Sequence, residues 1–352
     1  MVGYFYDFIN CIIQREKNMS CKVGIPRALL YYKYFPMWKA FLEKLGAEII
    51  VSEDTNQKLI LQGASLVVSD TCLPVKVFIG HVLSLSDKCD KILIPVVRST
   101  SEKVYNCSRF LALPDLAKAV VPGVTPILEI EFDYSRGKRY LYRQIYSLGK
   151  HFTINPFKIK AAAEYAWETH QRYHKITTEQ HLTRVEAIDL LCKGKSIEIK
   201  EMGNDGLTIG IAGHPYVLHD EQVSHNLIKR LKAAGVNILT PEMAPETPDS
   251  NGNGHTRFAG LAKNYWESEE DVVGAGDWYT RIKVDGIIGI MAFACGPDSM
   301  MMSLVQRQAH SANIPFMSLT VEEHTAEAGV VTRIEAFLDM IYRAKRRNQQ
   351  CV

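Results

Sequence analysis

The sequence lacks any apolar run long enough to cross a bilayer. Its longest candidate, Gly286–Phe293 followed by Ala294 and Cys295, is strand-sized and stops at Gly296-Pro297. A spanning helix needs about 18–20 apolar residues. Net charge is also scarce: 41 basic against 39 acidic side chains leave +2. That surface has no bulk attraction for nucleic acid or anionic membrane. The eight cysteines include no Cys-x-x-Cys pair, so a zinc knuckle and a ferredoxin-type run are both missing. No P-loop and no Gly-rich phosphate segment occurs, which argues against an ATPase lobe. Met1–Ser20 carries Asp7, Arg15, Glu16 and Lys17 and no small-residue cleavage site, unlike a secretory signal. The expected setting is the cytoplasm, with reduced thiols.

What is present is ordinary globular composition, 47% hydrophobic and 23% charged over 352 residues, a length that suits two domains. Short apolar strands are expected at Lys22–Ile25, Ala47–Val51, Leu66–Val68, Lys91–Val97 and Thr125–Ile130. Helices are expected at Leu29–Leu45, closed by Gly46, and at Lys76–Leu85 and Leu113–Val120. Residues 136–192 are helical in pattern, with no strand. The second half then repeats the first: strands Leu207–Ala212, Val236–Leu239, Gly286–Phe293 and Ile314–Leu319 alternate with helices Asp220–Ala234, Ser299–His310 and Ala328–Arg346. Pro241–Thr256 reads as a long loop. Alternation of this kind means βαβ units and parallel sheets. The expected fold is α/β: two doubly wound lobes joined by a helical segment, with a cleft at the carboxyl ends of the strands. The expected boundaries are an extension at 1–20, a lobe at 21–135, a helical linker at 136–204, a lobe at 205–346 and a tail at 347–352.

Ligands bind such sheets beyond the strand carboxyl ends, and three cysteines are expected there. Cys72 and Cys295 each follow an apparent strand and stand two residues before a proline that opens a helix: Thr71-Cys72-Leu73-Pro74 and Ala294-Cys295-Gly296-Pro297. A thiol at a helix N-terminus is eased toward thiolate. Cys107 lies in the polar loop Ser99–Arg109. Gly296 leaves room for close approach. Three thiols converging from two lobes suggest an iron–sulfur cluster with one site open; the competing reading is inert buried cysteine. Cys11, Cys21, Cys89, Cys192 and Cys351 carry no such placement.

Other polar residues have two readings each. Lys76 and His81, on the helix after Cys72, would neutralise a cluster or a thioester oxygen, or else are a solvated lysine and a helix-face histidine. Arg98 and Ser99 would donate hydrogen bonds to sulfide or substrate, or are loop polarity. His214 sits at a strand end, as a functional or a turn histidine. Asp298 and Ser299 are placed to cap a helix. Glu323 and His324 follow the last strand, as acid or base or as helix N-terminal charge.

At these residues the chain resembles a known family. Cys21-Lys22-Val23-Gly24-Ile25-Pro26-Arg27-Ala28-Leu29, Cys72-Leu73-Pro74-Val75-Lys76 with Gly80-His81, Cys295-Gly296-Pro297-Asp298-Ser299, Glu323-His324-Thr325 with Gly329, and Thr332-Arg333-Ile334-Glu335-Ala336-Phe337 are similar to the acyl-CoA dehydratase activase-related proteins. Those in turn are similar to 2-hydroxyacyl-CoA dehydratase and benzoyl-CoA reductase subunits. The resemblance spans about Lys22 to Ala344. It implies two flavodoxin-like lobes with a [4Fe-4S] cluster between them on Cys72, Cys107 and Cys295. It also implies an ATP-dependent activase or another low-potential electron donor as partner, an acyl-CoA or other small molecule as substrate, and room for a dimer. Asn106-Cys107-Ser108 lacks the proline expected after that cysteine, and Glu322 replaces an expected Asp. Residues Met1–Asn18 fall outside the resemblance, with Met19 an alternative start.

Three function classes follow. The first is low-potential electron transfer or reductive or dehydratase chemistry on an iron–sulfur cluster. The second is a two-lobed small-ligand-binding protein without a cluster. The third is a cysteine-dependent acyl transferase using Cys72 or Cys295 with His81 or His214.

Overall fold

The computed structural model describes residues 20–101, 104–196, 206–245, 247–248, 255–256 and 266–350. The extension Met1–Asn18, Met19, Cys11 and Cys351 lie outside the described residues, as do most of the polar stretch Lys193–Asn204 and part of the loop Pro241–Thr256.

The chain runs β1 (Lys22–Ile25), α1 (Tyr31–Lys44), β2 (Glu48–Val51), α2 (Gln57–Leu66), α3 (Leu73–Leu85), β3 (Lys91–Ser101), β4 (Val104–Tyr105), α4 (Ser108–Leu111), α5 (Leu113–Val120) and β5 (Ile127–Asp133). Three helices follow, α6 (Lys138–Gly149), α7 (Pro156–Glu179) and α8 (Arg184–Lys193). Then come β6 (Thr208–Ala212), α9 (Pro215–Leu218), α10 (Leu227–Ala233), β7 (Asn237–Leu239), β8 (Thr247–Pro248), β9 (His255–Thr256), α11 (Glu267–Arg281), β10 (Gly286–Ala292), α12 (Gly296–Ser311), β11 (Phe316–Val321) and α13 (Glu327–Gln350).

The protein is α/β, with two flavodoxin-like lobes. In the first sheet β1 lies between β2 and β3, and β5 pairs with β3, all parallel; β4 folds back antiparallel on the end of β3. In the second, β7, β6, β10 and β11 are parallel in that order. The lobes therefore share one strand order. In each the first strand lies inside the sheet, and the connections diverge to either side of it. Crevices open at such switch points, between β1 and β3 and between β6 and β10.

Several expectations need correcting. Leu66–Val68 is not a strand. Gln57–Leu66 is helical because Asn56 Oδ1 accepts the Leu59 N–H at 2.9 Å and Leu59, Ile60 and Gly63 bury one face. Val68 is 74% exposed, so the apolar run there is no core strand. Cys72 therefore follows a helix and a turn. The expected polar loop from Ser99 is instead the end of β3 and a hairpin, with Ser99 opposite Tyr105. The expected helix Asp220–Ala234 is helical only from Leu227. Asp220 Oδ1 accepts the N–H groups of Gln222 and Val223, each at 3.1 Å, and His225 and Asn226 take positive φ, which holds the chain in turns. Helices α9 and α11 were not foreseen.

Helix α1 buries an aromatic face, including Tyr31, Tyr32, Phe35, Trp38 and Phe41. Pro36 sits inside it and has no N–H for the Tyr32 carbonyl one turn back. The Tyr173 hydroxyl of α7 donates to that carbonyl at 2.6 Å. The helical segment also grips the second lobe. Glu242 receives the Arg184 backbone N–H at 3.1 Å, stands 3.8 Å from the Arg184 guanidinium and 2.7 Å from His219 Nε2. Burial raises the Glu242 carboxyl, but His219 and Arg184 outweigh this and hold it at about 2.

Candidate metal centre

One pocket lies where both sheets part. Its walls come from the turn after β1 (Leu29, Leu30), the turn after β4 (Asn106, Cys107), the turn after β6 (His214, Tyr216) and the turn after β10 (Cys295, Pro297). Cys72 joins them from the α2–α3 turn. The cavity measures about 50 Å³. That is well below the roughly 300 Å³ at which pockets for organic ligands begin, so it suits a compact group.

Four wall residues share one backbone role. Cys72, Cys107, His214 and Cys295 are the N-cap residues of α3, α4, α9 and α12, and none caps its helix with its side chain. Serine, threonine, aspartate or asparagine usually holds that position and spends its oxygen on an amide. Here a proline in the first turn follows three of the four, Pro74, Pro215 and Pro297. Proline supplies the helical φ, which leaves the thiol or imidazole for the pocket. Helices α3 and α12, 13 and 16 residues long, turn their amide ends and positive dipole poles toward negative charge there.

Two of the bare thiols, Cys72 and Cys295, resist ionisation. Burial pushes the Cys72 thiol up, and Cys107 and Asp298 add to this against the Val75 amide and Arg109. Burial drives Cys295 up strongly, with Asp298 and Cys72 reinforcing it. The Tyr216 hydroxyl rises well above its usual range through burial, then Asp298 and all three cysteines. These mutual effects place the three sulfurs, the phenol and the carboxylate within electrostatic reach of one another. A dry site crowded with acids favours their neutral forms unless a cation is present.

Asp298 does not cap α12 as expected. Its Oδ2 accepts the Ala292 N–H at 3.2 Å, and its Oδ1 lies against His214 Nδ1. The carboxylate is fully buried and the imidazole 5% exposed. His214 stacks on Tyr216, with ring centroids 4.8 Å apart at 12°. One ligand atom each from His214, Cys295 and Asp298 lie within 4.8 Å of one another. Ser299 donates its hydroxyl to the Cys295 carbonyl at 3.1 Å. Nothing stands within 4 Å of where a Gly296 Cβ would be. Leu29, a wall residue, at φ 50° and Ala294, next to the wall residue Cys295, at φ 62° adopt left-handed backbone without being glycine. Such strain gathers at functional sites.

The remaining expected residues lie elsewhere. Lys76 is buried and forms an ion pair with Glu323 at 2.5 Å, so it is no solvated lysine. His324 is exposed. His81 is fully buried, its two ring nitrogens 2.9 Å from the Ser52 and Thr55 hydroxyls. Thr55 in turn donates to Asp220 at 2.5 Å. Arg98 pairs with Glu131 at 2.8 Å, and Ser99 donates to Asp133 at 2.9 Å. None of these six lines the pocket. Tyr216, expected beside His214 at a strand end, lines the pocket; sequence reading missed Ala294 as a strained residue and the Lys33–Asp271 ion pair, 3.2 Å, which also borders the pocket. Pro215 directly follows His214, whereas Pro74 and Pro297 stand two residues after Cys72 and Cys295; a proline within the first helical turn was the available signal for a shared role.

Residues 22–244 match a family described as CoA enzyme activase uncharacterised domain (DUF2229). The match covers the first lobe, the helical segment and the start of the second lobe. No curated protein matches the chain.

Proposed function

This chain belongs to the CoA enzyme activase uncharacterised domain family, and from that premise we propose that it is an iron–sulfur protein serving low-potential electron transfer in a CoA-dependent enzyme system. The observation that carries the reading is the meeting of three thiols, Cys72, Cys107 and Cys295, each at a helix N-cap, in one pocket shared by both lobes. Their chemistry fits a [4Fe-4S] cluster: soft donors, none in a disulfide, none spent on capping.

When bound, the cluster would supply reversible one-electron chemistry. The chain's own residues would do the rest. Cys72, Cys107 and Cys295 would hold it. The α3 and α12 amide ends would favour its negative charge. Tyr216 and Pro297 would keep water out. Binding would release thiol protons, so assembly should strengthen with rising pH. The small cavity favours electron delivery over accommodation of a whole acyl-CoA. The relation to 2-hydroxyacyl-CoA dehydratase subunits belongs to this same proposal, with an ATP-dependent activase or a CoA enzyme as electron partner.

Anaerobic purification with iron and sulfide analysis tests the reading. About four irons and four sulfides per chain, with broad absorption near about 400 nm, are expected. Cys72→Ser, Cys107→Ser and Cys295→Ser should each lose or alter the cluster. A chain that stays metal-free after anaerobic reconstitution would overturn it.

A further inference from the structure

The pocket has four N-cap residues, and only three are cysteines. We infer that His214 is the fourth protein ligand of the metal group, so that no iron is left open to a substrate. The inference rests on the cluster reading above and deepens it.

Three observations point to His214. It is an N-cap residue like the three cysteines, with a proline in the first helical turn as after Cys72 and Cys295, and it lines the same pocket. Its ring is almost wholly buried and its Nδ1 lies against Asp298 Oδ1, yet neither of those two buried atoms has a hydrogen-bond partner among the described residues. Metal-binding histidines stand beside a carboxylate in this way: a small turn of the ring lets one nitrogen donate to it, which fixes the ring and leaves the other nitrogen with its lone pair. Nε2 has no partner among the described residues and is the nitrogen left to bind. Finally, a His214 nitrogen, the Cys295 sulfur and the Asp298 carboxylate fall within one ligand-sized sphere.

The roles then separate. Cys72, Cys107 and Cys295 give three thiolates. His214 gives an imidazole. Asp298 is a positioning residue, anchored by the Ala292 N–H, and Tyr216 supports the ring by stacking. Full protein ligation suits a group that passes electrons, whereas a free iron site suits one that binds and activates a substrate. Replacing thiolate by neutral imidazole also raises the reduction potential.

The test uses the reconstituted full chain, kept anaerobic, in wild-type, His214→Ala, His214→Cys and Asp298→Asn forms. Readouts are iron content, the electron paramagnetic resonance spectrum of the reduced state with and without added cyanide, and the rate of iron loss under mild oxidation. Wild type should show no change with cyanide. His214→Ala should show a cyanide-shifted spectrum and lose iron about tenfold or more faster. His214→Cys should restore the resistance and lower the potential. Asp298→Asn should fall between wild type and His214→Ala. A wild-type cluster that binds cyanide as readily as His214→Ala does would overturn the ligand assignment and leave the cluster reading intact. A chain that binds one zinc and no iron, or no metal, would overturn both.

Discussion

At Ala294 the backbone turns left-handed, φ 62°, one residue before Cys295. An L-residue with a Cβ adopts that conformation at a cost of roughly 1–2 kcal/mol. Ala294→Gly should therefore raise stability by about 1 kcal/mol, read as a higher midpoint in denaturant unfolding. A lower midpoint would mean that the methyl group packs usefully. His81 gives a second prediction at this scale. Burial first, then Arg27, pushes its imidazole down to about 3, while the unfolded chain titrates near 6.5. The folded ring is neutral, so acid favours the unfolded state. Its contribution is present above about pH 6.5 and is lost as pH falls toward 3. His81→Gln should flatten the loss of stability between those values. His170, held near 4 by burial, keeps some slope in the same window. A pH profile of the variant parallel to that of wild type would show that His81 binds its proton equally well in the folded and unfolded chain.

At the scale of elements, α2 and α3 cross closely because both carry glycine at the contact. A Cβ on Gly63 would stand 1.9 Å from the Lys76 carbonyl oxygen, and one on Gly80 would stand 2.3 Å from the Leu59 carbonyl oxygen. The helix that begins at Cys72 is set by this contact. Gly63→Ala should cost about 1–3 kcal/mol through overpacking, and by displacing the start of α3 it should lower iron uptake. Thermal unfolding and iron content measured together check this; unchanged iron uptake with reduced stability would separate α3 placement from the metal site. The elements were unevenly legible in sequence. Strands β1, β10 and β11 and helices α5 and α13 stand close to where hydrophobic pattern places them, since each buries an apolar run or stripe. Helix α2 was not, because the apolar letters Leu66, Val67 and Val68 mimic a strand while the burial that matters falls on Leu59, Ile60 and Gly63. Helix α10 begins late because Asp220 spends its carboxylate on turn amides.

At the scale of the molecule, the placement of Cys72 and Cys295 on one pocket was legible from the helix-opening prolines that follow them, and that of Cys107 from the loop after a strand end. The wrong strand before Cys72 did no harm, because the proline that follows it fixes the helix start. The buried partners of Lys76, His81, Arg98 and Ser99 were not legible, since an ion pair such as Lys76–Glu323 joins residues far apart in the chain. Several such links run between the lobes. Tyr32 and Thr55 reach Asp220, and Gln57 donates to the Glu323 carbonyl at 3.2 Å. The walls of the candidate site are thus braced at their backs by contacts that lie outside the pocket.

Pro36 has a consequence for assembly that its local geometry hides. A helix missing one internal rung offers a single unclaimed oxygen on an otherwise sealed cylinder. That oxygen acts as a keyhole, and the Tyr173 hydroxyl is the key. Sliding α7 along α1 by one residue would withdraw the key and strand a buried acceptor, at a cost of about 1–3 kcal/mol. Greasy aromatic surfaces tolerate many alignments, but this pair tolerates one, so the helical segment that follows the first lobe docks in a fixed register.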